Sequence, residues 1–232
     1  MLTPQTVLRV LGITATVLFS GFAAAQVGGS VIVESDYRFR GISLSGGDPT
    51  AHLNLAYDHA SGWYTGASLT GTELKPGSRK TALTAYLGYA SRRGDLGAWE
   101  AGAVLNRFFG VTYYDYDEVY AGFIAERWTA RVYYSPDYFG RSVRTMYAEL
   151  NGNLPLTAQL RAFAHLGVLA RLSGNVTPGG GQTRYDARIG LGLRIADFDA
   201  SLAWVDSNRG RPYVAAYDQS RSTAVLSASY DF

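Results

Sequence analysis

The sequence predicts an all-β protein: a transmembrane, antiparallel up-and-down β-barrel of about 12 strands with both termini on the periplasmic side. Three observations lead there. Apolar and polar residues alternate with a period of two along most of the chain, the connections between these runs are short and long by turns, and aromatic residues recur at run ends. Successive side chains of a strand point to opposite faces, so each run carries one apolar and one polar face. An amphipathic helix needs apolar residues three and four apart, a spacing these runs lack.

Taken in order, the N-terminus reads as a secretory signal. Arg9 precedes the apolar run LGITATVLFSGF, residues 11–22, and the small residues Ala23, Ala24 and Ala25, so cleavage is expected after Ala25. The run is too short for a spanning helix, which takes roughly 20 residues. Residues 26–232 then form a single barrel domain, exported through the periplasm to the outer membrane.

The next stretch, VESDYRFRGIS at residues 33–43, sets Val33, Ser35, Tyr37 and Phe39 against Glu34, Asp36, Arg38 and Arg40. As a first strand it turns Tyr37 and Phe39 to lipid and the four charges inward, because an arginine facing mid-bilayer lipid costs roughly 2–4 kcal/mol. Further strands centre near Leu55, Ala67, Ala85, Ala103, Ala121, Val132, Ala148, Ala164, Ile189, Leu202 and Ala228. The short connections are HASG, SRRGDLG, AER, LPLT and IADFD. The longer ones are SLSGGDPTA, GTELKPGSRK, GVTYYDYD, SPDYFGRSV, SGNVTPGGGQ and SNRGRPYVAAYDQSR.

Strands of about ten residues, tilted, match the apolar band of an outer membrane. A soluble sandwich also alternates, with its apolar face inward. Strand length, unequal loops and the placing of Trp63, Trp99, Trp128, Phe198 and Trp204 beside the short turns favour lipid, since such rings prefer the headgroup level. The chain stops on LSASYDF, with Leu226, Ala228, Tyr230 and Phe232 on one face. Outer-membrane proteins commonly end this way, and the resemblance implies that the barrel assembly machinery recognises Phe232.

Composition removes other classes. Lys and Arg number 21 against 19 Asp and Glu, too even a balance for a nucleic-acid binder held by phosphate neutralisation. The absence of cysteine excludes thiol catalysis and thiolate metal sites. His52, His59 and His165 are scattered, no nucleophile or phosphate-loop motif occurs, and neither cofactor, metal nor enzymatic activity is expected.

Inward parity nominates the lumen residues. These are Glu34, Asp36, Arg38 and Arg40 from the first strand, Glu100 from the fifth, Glu118 and Glu126 from the sixth, Arg131 from the seventh and Glu149 from the eighth. Arg161, His165 and Arg171 come from the ninth, and Arg184, Asp186, Arg188 and Arg194 from the tenth. Arginine on strands nine, ten and one would face glutamate on strands five to eight, setting a field across a narrow pore. The alternative is a set of salt bridges filling the barrel. Two loops stand out. GVTYYDYDEVY reads as a solvated hairpin tip with girdle tyrosines, with stacking of its tyrosines on sugar rings or calcium binding by its carboxylates less favoured, and SPDYFG reads as an ordered turn, at the surface or folded inward.

SDYRFRGISLSGGDP and YYSPDYFG, residues 133–140, are similar to the two signature segments of the TorF family of porins, also described as proteobacterial proteins of unknown function. The resemblance spans the mature chain and implies an outer-membrane channel, with no catalytic residues. The expected function is passive diffusion of small polar or charged solutes. A non-conducting structural or surface-binding barrel is the alternative, and an outer-membrane acyl hydrolase or transferase using His165 with a serine is a more distant one. Glycine- and alanine-rich outward faces are compatible with subunit packing without requiring it.

Overall fold

The computed structural model describes residues 26–92, 97–174, 183–208 and 222–232. The expected signal segment, most of SGNVTPGGGQ and most of SNRGRPYVAAYDQSR lie outside the described residues. The strands are β1 (Gln26–Glu34), β2 (Arg38–Phe39), β3 (Ile42–Ser43), β4 (Thr50–Asp58), β5 (Trp63–Lys75), β6 (Ser78–Arg92) and β7 (Ala98–Phe108). There follow β8 (Tyr116–Ile124), β9 (Trp128–Ser135), β10 (Arg144–Pro155), β11 (Leu160–Ser173), β12 (Thr183–Ile195), β13 (Phe198–Ser207) and β14 (Thr223–Asp231). All but β2 and β3 close into one barrel of antiparallel neighbours, in which β1 lies between β4 and β14. The short pair β2–β3 stands apart from that wall.

The wall is inside out relative to a soluble barrel. Val33, Leu55, Leu87, Val119, Leu166, Ile189, Leu202 and Leu226 are exposed on the outer face, while Glu34, His52, Glu100, Glu118, Arg131 and Asp186 are buried within. In water each exposed Leu or Ile would forgo about 1.5–3 kcal/mol of burial, whereas lipid removes that cost. The protein is therefore a transmembrane antiparallel β-barrel.

Closure occurs where the ends of the wall meet. Gly29 and Phe232 exchange backbone hydrogen bonds of 2.9 and 3.0 Å. The Phe232 ring lies so close over Gly29 that a Cβ there would come within 2.5 Å of it. Trp63 stacks edge-on with Tyr89, Trp99 with Phe123, and Phe198 lies beside Tyr230, all near the short turns. Trp204 departs from this belt. It sits deep in β13 opposite Ala224 near the start of β14, toward the long-loop end.

Two other expectations are corrected. GTELKPGSRK is not a long loop: β5 and β6 run through it as one hairpin, with Lys75 opposite Ser78 and Gly77 at φ +72°. Proline followed by glycine supplies the turn, and the Gly77 N–H donates to Glu73 at 2.7 Å. The first strand, in turn, does not continue through Tyr37. It ends at Glu34, and residues 35–49 leave the wall and fold into the lumen.

Candidate functional site

The inward segment is shaped by its own polar residues. The Asp36 carboxylate accepts from Arg38 Nε at 2.6 Å and from the Ser43 hydroxyl at 2.5 Å, and the Ser45 hydroxyl accepts from the Tyr37 N–H at 2.9 Å. These bonds satisfy backbone and charge locally, so the segment needs no strand neighbour. Arg40 and Gly41 take the left-handed region, φ +49° and +74°, and reverse the chain. A Cβ on Gly41 would stand 2.6 Å from Ser207 Cβ and 2.8 Å from Asp186 Cβ, so glycine alone fits against β12 and β13.

The turn delivers Arg40 to the far wall. Its guanidinium donates two parallel bonds to Glu118, 2.8 and 2.7 Å long, and lies over the rings of Tyr147 at 4.1 Å and Phe39 at 4.7 Å. Burial alone would lower the pKa of Arg40, but Glu118, Tyr138 and Tyr116 outweigh it and hold the group above the ordinary arginine value. Above this pair Phe39, Phe108, Tyr114, Tyr116, Tyr138 and Phe139 pack as one buried cluster, with Tyr116 stacked on Phe139 at 4.8 Å. Parts of residues 35–49, 109–115 and 136–143, themselves long connections, together form a plug at that end of the barrel.

Beneath it most of the remaining charges find partners. Arg131 binds Glu100 at 2.5 Å, and Glu100 also accepts from the Tyr64 hydroxyl at 2.5 Å. Glu34 meets His52 at 2.6 Å, and His52 meets Thr70 at 2.9 Å. His165 contacts Asn151 at 2.7 Å and Asp186 at 2.8 Å, and the Tyr147 hydroxyl at 3.0 Å. Arg161 forks onto Asp199, Arg194 reaches Asp231 at 2.8 Å, and Arg184 donates to the Ser207 hydroxyl at 3.3 Å. Among the described residues Glu149 accepts only a long bond, 3.3 Å, from Tyr133.

A cavity of about 270 Å³ runs between these groups from the short-turn rim, at Asp58 and Asp231, to the underside of the plug at Arg40 and Glu118. Of the nominated residues, Glu34, Arg38, Arg40, Glu118, Glu149, Arg161, His165, Asp186 and Arg188 line it. Asp36, Glu100 and Arg184 are buried behind, and Arg194 is half-buried at the short-turn end. Glu126 does not face the lumen. It lies in the turn after β8 with its side chain 86% exposed, beside Arg127.

Sequence parity missed several participants and misplaced others. Tyr37 and Phe39 are lumenal, Tyr37 meeting His52 edge-on at 4.8 Å and Phe39 packing near Phe139, because the strand on which their outward parity rested has already ended. GVTYYDYD is solvated only in part: Gly110, Thr112 and Tyr113 are exposed, but Tyr114 and Tyr116 are core residues, and Asp115 and Asp117 are taken by the Phe108 N–H and by Arg107. SPDYFG folds inward, carrying Tyr138 and Phe139 into the plug. The opposed arcs do not stand as a free field, since most arginines and acids neutralise one another, Arg131 with Glu100 and Arg161 with Asp199 between strands two apart and Arg40 with Glu118 across the lumen. His165 has no serine partner among the described residues. Alternating tyrosines at 64, 120, 133 and 147 and the acids Asp199 and Asp231 carried an inward-parity signal that would have found them.

A closed, outwardly apolar wall around a polar, plugged interior defines the class of membrane-spanning β-barrels. Within it, the chain belongs to the Gcw_chp family, described as bacterial proteins of unknown function, whose pattern matches residues 20–230. No curated protein matches the chain. Among solved structures, the KdgM porin is similar at 9% identity with TM-score 0.55, covering 90% of this chain and 99% of that one. The same porin in complex with disordered oligogalacturonate gives the same values. A membrane protein from a study of in-meso crystallization gives TM-score 0.56 at 9% identity, over 89% of this chain and 83% of that one. At such identity the likeness is one of fold.

Proposed function

We propose that the protein is an outer-membrane channel for passive diffusion of small polar or charged solutes, with its termini in the periplasm and the plug as its narrowest part. The observation that carries this reading is a polar cavity inside a closed, outwardly apolar barrel, reaching from the short-turn rim to the plug. Fold likeness to the KdgM porin and the resemblance to TorF porins support it. Export after removal of residues 1–25 and recognition of Phe232 by the assembly machinery belong to the same reading.

A second reading, a non-conducting barrel closed by its salt bridges, draws support from the buried Arg40–Glu118 pair. Single-channel recording in a planar bilayer separates the two. Discrete current steps from a heat-modifiable, folded barrel are expected; silence from the same preparation would reject the channel.

A further inference from the structure

Arg188 differs from most of the lumenal arginines. Arg40, Arg131, Arg161 and Arg194 each hold a carboxylate. Arg188 makes no hydrogen bond or ion pair among the described residues, and its Nε is buried without a partner. It nevertheless lines the cavity. Glu34 acts on it through space but is bonded to His52. A guanidinium turned into an enclosed space, with the acids around it already bonded to His52, His165 and Arg161, has its fork free for a carboxylate.

The surroundings narrow the ligand further. The Arg188 guanidinium lies 5.4 Å over the Phe163 ring, and Phe163 is the cross-strand partner of Gly190, so the cation is carried along β12 toward the short-turn end. There Ser201 and Ser227 face each other across β13 and β14, and Ser229 follows on β14. All three line the cavity, and their hydroxyls make no hydrogen bond among the described residues. These hydroxyls lie further along the same cavity than the Arg188 guanidinium, level with Gly192 and the Arg161–Asp199 pair, so a ligand reaching from one to the other would carry an acid group at one end and hydroxyls at the other. Asp186, Asp199 and Glu34 also line this space, so a second negative charge on the ligand would be repelled.

We infer that Arg188, with Ser201, Ser227 and Ser229, forms a binding subsite for small monoanionic hydroxy-carboxylates of the sugar-acid type. This deepens the channel reading and rests on it only for how the solute arrives. Gluconate is the probe, with glucose and glucose 6-phosphate as comparisons, and binding to the detergent-purified full chain is followed by saturation-transfer NMR and calorimetry.

Saturable gluconate binding is expected, weaker by on the order of tenfold or more in Arg188→Met, as loss of a charged hydrogen bond implies. Arg188→Lys should fall between. Removing Arg188 orphans no carboxylate, so the variant should keep the heat-modifiable mobility of the parent. Should it misfold, Ser201→Val with Ser227→Val, expected to weaken gluconate binding while leaving the charge in place, gives an independent readout. Equal affinity for glucose and gluconate, tighter binding of glucose 6-phosphate, or affinity unmoved by both sets of changes would overturn the subsite. Gluconate binding in a barrel that passes no current would reject the channel and keep the subsite; current without gluconate binding would do the reverse.

Discussion

Two lumenal arginines, Arg40 and Arg188, are held in opposite states. Under the long loops Arg40 is clamped by Glu118 and roofed by aromatic rings, while in the chamber below Arg188 rests on one ring and faces space. The difference follows from side-chain volume. Tyrosine and phenylalanine from three inward segments fill the upper end and exclude water, so a charge there needs a partner of its own. Serines on β13 and β14 leave the lower end roomy, and water or a solute can serve instead.

The sharpest way to break this comparison is Glu118→Ala. It leaves Arg40 buried and unpaired, which costs about 3–5 kcal/mol in comparable pairs. The wall itself loses no hydrogen-bonded rung, so the plug should loosen while the barrel stays closed. Larger current steps and new tryptic cleavage after Arg38 and Arg40 are expected; unchanged conductance and protease resistance would show that the aromatic cluster holds the plug by itself.

Next in size is a test of which face meets lipid. Ile189 is 66% exposed and adjoins Arg188 on β12, so one residue separates the two environments. Ile189→Arg should destabilise the barrel in lipid vesicles by about 2–4 kcal/mol if the position lies near the midplane. Arg188→Met should change stability far less. Urea unfolding of both variants in vesicles gives the comparison, and equal losses would contradict the assigned parity.

How far the sequence reveals this arrangement depends on whether a residue sits in the wall. From Leu55 onward the alternation places each predicted centre inside a strand, because a period of two survives any error at the ends. Arg161, Arg188 and Glu118 were assigned inward for the same reason. The pattern failed at Tyr37 and Phe39, where alternation outlasts the strand: Asp36, Ser43 and Ser45 close a loop that looks extended in sequence. The plug was illegible in a deeper way. Its partners lie far apart in sequence, Arg40 and Glu118 by 78 positions, and no local periodicity encodes such a contact. The glycine after Arg40 was the one local sign that the chain turns there.

That glycine offers a milder test of the plug. Gly41→Val forces a side chain into the left-handed region at a cost of about 1–2 kcal/mol, and it meets Ser207 and Asp186 as well. Partial loosening is expected, with current steps intermediate between the parent and Glu118→Ala. A variant as open as Glu118→Ala would mean that the backbone turn, rather than the ion pair, seats the plug.

The smallest effect should come from an ion pair of similar geometry outside the lumen. Arg79 donates to Asp48 at 2.9 Å, nearly the length of the Arg40–Glu118 bonds, yet both side chains are more than half exposed. Water solvates either charge when the other is removed, and salt screens what attraction remains. Asp48→Ala should therefore leave unfolding, current and protease sensitivity unchanged, at low and high salt alike. Because Asp48 belongs to the same inward segment as Arg40, a large effect there would show that the rim contact, not the buried pair, fastens residues 35–49 to the wall. An absent effect would place the fastening where water is excluded, which is the distinction the two ends of the lumen rest on.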